Sequence, residues 1–443
     1  RKRNRCASWE ARGVHVPPAP ADPLPRIEPA PPGATAFDEP TRHDMPAAAK
    51  SPPQRLRILY SHRILSKDGQ GVHLDAIVAA LRADGHEVLV VGPSGYARTR
   101  LGGENRLLDL LRRRAPAVAM ELAEFGYNLL AYRKLARAAA SFRPDVIYER
   151  YNLFYLAGAW IAARLGLPLL LEVNAPIADE RMRFNNLRLR RLARWAEGFV
   201  WRAAAAVLPV TEVLATHVAA AGVPRDRIRV IPNGIDPEEF PETPVNGEME
   251  PDEIVLGFVG FVRPWHGVDA VVRAIAEWPA GPAMALTIVG EGSACAELQS
   301  LAADLGVSER VRFTGLVARN EIAAQIRRFD IALQPAAVPY ASPLKVLEYM
   351  AAGRAIVAPD QPNLRELLED GRTALLFDPQ RQPPGQAMWE AVRRLALDPG
   401  LRSRLGAAAR DEIERRDLTW TGNARRIVEL ARVEIAKRIP RAG

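Results

Sequence analysis

Short apolar runs alternate along this chain with longer amphipathic segments, and that alternation limits the fold more than any other feature. Residues 355–358, Ala-Ile-Val-Ala, lie between Gly353 and Pro359. A run so short and so uniformly apolar suits a strand buried on both faces, as in a parallel sheet, whose neighbours are joined by crossover helices. Strands are predicted at 56–60, 88–91, 144–148, 167–173, 204–209 and 229–231, then at 254–260, 285–289, 311–313, 330–334 and 355–358. Helices are predicted at 72–84, 106–114, 125–140, 181–202, 211–221, from 268, at 294–305, 321–329, 342–352, 386–397, 401–415 and 420–437. The fold class is therefore α/β, with two Rossmann-like parallel-sheet domains facing a cleft.

With 443 residues the chain exceeds one compact core. Residues 1–53, rich in Pro and Ala, read as a disordered tail. The first domain spans 54–236, a Pro- and Glu-rich linker 237–252, the second domain 253–418, and a final helix at 419–443 is placed to pack back on the first domain. Net charge is +8 overall, but residues 51–240 hold 27 Lys and Arg against 19 Asp and Glu, whereas 241–443 hold 25 against 27. The excess sits on the first domain and points to an anionic partner there, membrane lipid or an acidic acceptor, with no nucleic acid expected. The basic segment 181–202 interleaves Arg181, Arg183, Arg188, Arg190, Arg191, Arg194 and Arg202 with Phe184, Leu187, Leu192, Trp195, Phe199 and Trp201. Such a helix can lie on an anionic surface or simply pack on a core with its arginines solvated.

Two cysteines, Cys6 and Cys295, form no disulfide framework and no metal-ligand cluster, and a cytoplasmic setting fits. No window of about twenty residues is free of charge, so no transmembrane anchor is expected, and Arg1 to Arg5 lack the apolar run a signal peptide needs.

The stretch 342–359 carries the clearest chemistry. Ser342 reads as a helix cap, Pro343 as the first helical residue and Gly353 as the stop. Unpaired N–H groups at that helix start, with Lys345 in the first turn, suit a phosphate, and Glu348 on the same face suits a ribose diol. Alone, Lys345 and Glu348 are equally well an exposed ion pair of about 0.3–0.5 kcal/mol.

The ordered series around that stretch resembles the retaining family-4 glycosyltransferases of GT-B fold. It comprises a glycine loop with Gly69 and Gly71, G-H-E-V at 85–88, P-D-V-I-Y at 144–148, V-I-P-N-G-I-D at 230–236, G-F-V-R-P-W-H-G-V-D at 260–269, V-G-E-G at 289–292, F-T-G-L-V at 313–317 and S-P-L-K-V-L-E-Y-M-A-A-G at 342–353. By that resemblance Arg263 and Lys345 hold a donor diphosphate, helped by backbone N–H groups near Pro343 and Leu344. Glu348 takes the ribose, Gly315 and Leu316 lie under the base, and Glu291 and Gly292 stand near the nucleoside. The resemblance implies transfer of a sugar with retention, from a nucleotide-diphosphate sugar to a glycan or lipid-linked acceptor, with no metal and no further cofactor. Three positions depart from the family pattern. Tyr340 stands where the first Glu of E-x7-E is usual, His266 where a Lys is usual, and no histidine follows the third or fourth strand, where Glu149, Arg150, Glu172 and Asn174 stand instead. His73, after the glycine loop, is the nearest histidine and is either an acceptor-side residue or a helix-surface one. A sugar-nucleotide epimerase of the same fold and a non-catalytic sugar-nucleotide or glycan binding module are the rival readings.

Overall fold

The computed structural model describes residues 55–64, 69–93, 116–184, 187–241, 253–278, 282–382 and 385–438. The tail at 1–53, the helix expected at 106–114 and most of the linker lie outside the described residues. The first sheet holds β1 (Arg57–Ser61), β2 (Glu87–Val91), β3 (Val146–Arg150), β4 (Leu169–Val173) and β5 (Ala206–Pro209), all parallel in the order β2-β1-β3-β4-β5. The second holds β6 (Glu253–Val259), β7 (Ala283–Val289), β8 (Val311–Gly315), β9 (Ile331–Leu333), β10 (Ala355–Pro359) and β11 (Leu375–Phe377), parallel in the order β11-β10-β9-β6-β7-β8.

Each sheet reverses its direction of growth once, between β1 and β3 and between β6 and β9. In open parallel sheets the crevice beyond the strand ends at such a switch point is where ligands sit, because the two flanking loops diverge there. Residues of β3, β4 and β10 are buried throughout, as helices on both faces require.

The helix Trp420–Ala436 begins at Thr419, whose side chain accepts a hydrogen bond from the Gly422 N–H. Trp420, Ala424, Ile427, Val428 and Ala431 recur at helical spacing and pack with Ile58, Leu74, Ile77, Leu81 and Leu208 of the first domain. This helix thus packs on the helix Gly69–Ala83 and shares with it the apolar cluster on one face of the first sheet.

Four local expectations are corrected. The basic segment is two helices, Ile177–Phe184 and Arg190–Ala203, because the Glu121 carboxylate accepts the Arg188 and Leu189 N–H groups at 2.8 and 2.7 Å and starts the second helix there. Residues 229–231 are not a strand: Arg229 and Ile231 donate to Val207 and Pro209 alongside β5, and Pro232, which lacks an N–H, ends the pairing. The helix after β1 spans Gly69–Ala83, so Gly69 and Gly71 belong to its first turn and not to a loop. The helix of the opening motif spans Leu344–Ala351 with Pro343, not Ser342, at its cap. The Ser342 side chain and carbonyl are both engaged elsewhere, and Pro343 is extended at ψ 120°. The edge strand β11, Leu375–Phe377, was not among the expected strands.

Candidate active site

The second domain brings its site together at the ends of β6 and β7. Gly260, Gly290 and Gly292 let these two loop starts touch, for a Cβ on Gly290 would fall 2.3 Å from the Gly260 carbonyl oxygen and one on Gly292 2.0 Å from that of Val262. Any larger residue would push the loops apart, so the sequence pattern V-G-E-G records a contact as well as a turn. Into this crevice the helix Leu344–Ala351 points its first turn. Lys345 as a residue is half-buried, but its Nζ is closed off from solvent, lies 3.8 Å from the centre of the Phe258 ring and has no hydrogen-bond partner among the described residues. Burial lowers its pKa to about 7, with Glu348 opposing the shift. Aromatic face and carboxylate offset part of the desolvation, yet an ammonium so placed still lacks the acceptors it would have in water.

Glu348 is buried, with one carboxylate oxygen bonded to Arg319 Nη1, while Arg319 Nη2 reaches Glu239 at 2.8 Å. Tyr349, fully buried beside it, accepts the Val259 N–H at 2.9 Å and donates to the Leu333 carbonyl at 3.3 Å, which rivets the helix to the ends of β6 and β9. The loop after β6 supplies exposed Arg263 and Trp265 and half-buried His266. His266 Nδ1 accepts the Arg263 N–H at 3.1 Å, so its protonatable position is spent; burial, then Lys345 and Arg263, lower its pKa to about 3. It stands in this site as a neutral ring that donates through Nε2. Glu291 comes within 3.5 Å of where a Gly315 Cβ would be, and Leu316 is half exposed beside them.

The first domain offers a buried carboxylate one strand away from its own switch point. Glu172, at the end of β4, accepts from Tyr148 at 2.8 Å, from Arg150 at 2.5 Å and from Asn174, and pairs with His73 Nε2 at 2.9 Å. Burial alone would raise its pKa, but His73 and Arg150 hold the carboxyl far below the usual range. His73 is therefore neither a surface residue nor a free base: Nε2 faces the carboxylate, Nδ1 lies 2.8 Å from Asn233 Oδ1, and the Trp420 ring packs edge-on at 4.9 Å. Glu149, grouped with Arg150 by sequence, points to the other face of the sheet, fully buried against Ser61. Strand alternation separates the two neighbours.

Several contacts cross the cleft. The Tyr340 side chain bonds Glu180, its carbonyl accepts from Thr211 at 2.9 Å, and the ring packs against the first domain's core. Glu366 accepts the Glu212 N–H at 2.9 Å and caps the helix Glu212–Ala220 across the domain boundary. Arg319, Tyr349, Asn233 and Trp420 all bear on the site, and sequence reading missed them: Asn233 was visible only as a turn residue, and nothing marked Arg319.

Two family models adjoin along the chain: Glycosyltransferase Family 4 matches residues 67–239 and Glycosyl transferases group 1 matches 240–412. The 2-deoxystreptamine glucosyltransferase of Streptomyces kanamyceticus is 27% identical over 340 residues, 71% of this chain and 85% of that one. The D-inositol 3-phosphate glycosyltransferase of Actinosynnema mirum is 30% identical over 321 residues, 66% of this chain and 75% of its own. Among solved structures, the Anabaena protein HepE in complex with UDP and glucose superposes with a TM-score of 0.63 at 20% identity, covering 86% of this chain and 100% of that one. Adjoining family matches through both sheets, together with a 30% identical relative of which three quarters is covered, show that this chain belongs to the family-4 glycosyltransferases and has their GT-B fold.

Proposed function

We propose that the chain transfers a sugar, with retention and without a metal, from a nucleotide-diphosphate donor to a hydroxyl of a glycan or lipid-linked acceptor. The observation that carries this reading is Lys345: a buried ammonium without a hydrogen-bond partner among the described residues, between Gly260 and the start of its helix. In that position it lacks only an anion, and Arg263 on the facing loop adds a second, exposed cation. Charge growing on a departing diphosphate would be met by groups already fixed in place, which is the cheapest electrostatic route to an oxocarbenium-like transition state. Donation from neutral His266 Nε2 fits a phosphoryl or sugar oxygen, and Glu348 fits the ribose hydroxyls through the carboxylate oxygen that Arg319 leaves free. On the acceptor side, Arg150, Asn174 and His73 surround Glu172.

A thermal-shift screen against nucleotide sugars tests the donor half. One donor is expected to raise the melting temperature, and Lys345→Ala and Glu348→Ala to abolish that rise. No response to any nucleotide sugar would overturn the reading. Incubation with the donor alone separates the epimerase rival, which would convert it, and the anomeric coupling constant of the transfer product reports retention.

A peripheral place on the cytoplasmic face of an anionic membrane completes the proposal. Leu122, Leu129 and Leu130 are 53–61% exposed on the helix Ala117–Phe142, and Trp195 is 49% exposed on the helix Arg190–Ala203, which also exposes Arg190, Arg191 and Arg194. No helix among the described residues is long and apolar enough to cross a membrane, so attachment would be through such a surface. Cosedimentation with phosphatidylglycerol vesicles and not with phosphatidylcholine vesicles is the expected result.

A further inference from the structure

We propose that Asn233 is a positioning residue that locks the first turn of the donor helix to the charged cluster of the first domain. It rests on the reading of that helix as the diphosphate end of the donor site. Asn233 Nδ2 donates to the Ser342 carbonyl at 2.6 Å, and its backbone N–H donates to Ser342 Oγ at 3.2 Å. Because Nδ2 must face that carbonyl, Oδ1 is fixed toward His73 Nδ1 at 2.8 Å. His73 is thereby held on both sides, its Nδ1 against Asn233 and its Nε2 against Glu172. Glu172 is in turn pinned by Tyr148, Arg150 and Asn174. Asn233 is 8% and Ser342 5% exposed, so water does not compete for these bonds.

The chain after Ser342 transmits this anchorage stiffly. Pro343 holds φ at −75°, Leu344 begins the helix and Lys345 follows in its first turn. Lys345 Nζ lies 3.8 Å from the centre of the Phe258 ring and beside Gly260, so a displacement of Ser342 carried through this short link moves it relative to a diphosphate. Residues of the first domain therefore set the geometry of a site built in the second, and Asn233 is the side chain that touches both.

The test uses the full chain and isothermal titration with UDP, GDP and ADP. Asn233→Asp keeps the shape and the His73 contact but turns an oxygen on the Ser342 carbonyl; Asn233→Ala removes both contacts, and Ser342→Ala removes only the hydroxyl. For the nucleotide that binds the unaltered protein, affinity is expected to fall about tenfold in Asn233→Asp and Asn233→Ala, and about two- to threefold in Ser342→Ala. Donor KM should rise in parallel. A merely structural Asn233 would lower the thermal transition and leave the affinity of the folded protein unchanged, and that result overturns the proposal. Should Asn233→Asp fail to fold, the other two variants decide, and wild-type affinity in both overturns it. If the unaltered protein binds none of the three nucleotides, the donor-site reading falls and this one with it; binding with no loss in the variants removes this one alone.

Discussion

Lys345 and Glu348 sit one helical turn apart, yet their surroundings give them opposite tasks. Glu348 has its cation in Arg319, whereas the Lys345 ammonium is shut in with no hydrogen-bond partner among the described residues. The folded protein binds the Lys345 proton less tightly than the unfolded chain does, since burial takes its pKa from 10.5 to about 7. The cost to stability is therefore fully present below about pH 7 and fades as pH rises toward the ordinary value. Lys345→Met should stabilise the protein by about 1–3 kcal/mol near pH 6, measured by denaturant unfolding, while removing nucleotide binding. A diphosphate beside Nζ would restore the charged form. Calorimetry at pH 8 in buffers of different ionisation enthalpy should accordingly show close to one proton taken up on nucleotide binding, and no uptake would mean that Lys345 does not face the phosphates.

Strand periodicity decides what β3 can contribute. Arg150 and Glu149 are adjacent in sequence, but the first bonds Glu172 and the second lies on the opposite face with its pKa raised by burial to about 8. In the helix Ala157–Leu165 packed there, a Cβ on Gly158 would come 1.8 Å from Glu149 Oε2. As pH rises from the ordinary carboxyl range through about 8, this group loses stability at up to ~1.4 kcal/mol per unit, because the unfolded chain has already given up the proton. Glu149→Gln should therefore be the more stable protein at pH 8.5, with the difference shrinking toward pH 5. Gly158→Ala should be strongly destabilising alone and much less so together with Glu149→Ala, a coupling that a double-mutant cycle measures. At this scale sequence was a good guide where burial is uniform, as in the run 355–358, and a poor one where a distant side chain decides. Glu121 starts a helix far along the chain and Asn233 occupies the atoms of Ser342 that a local reading assigns to a cap. Lys345, Glu348, Arg263 and His266 were legible because one short helix and one loop carry them in fixed spacing; Arg319 and Trp420 were not, because only the packed structure brings them to the site.

The whole molecule is stitched across its cleft by Tyr340 on Glu180, Glu366 on the helix Glu212–Ala220, Asn233 on Ser342, and the crossing of Trp420 over His73. The helix Trp420–Ala436 is the largest of these ties, since its run of apolar residues packs on the helix Gly69–Ala83 and joins the apolar cluster on one side of the first sheet. Chain termination after Asp417 would uncover Ile58, Leu74, Ile77 and Leu81 together, at about 1.5–3 kcal/mol for each large side chain exposed. The shortened protein should be insoluble or show a lost first thermal transition in calorimetry, even though every residue of the first sheet is retained. The same helix dictates an order of events during synthesis. The strands β1 to β5 and the helix Gly69–Ala83 are made before the second sheet, but Leu74, Ile77, Leu81 and Leu208 gain their full apolar packing only once the helix Trp420–Ala436 has followed that sheet out of the ribosome, so part of the first domain's apolar surface must wait through the synthesis of the second.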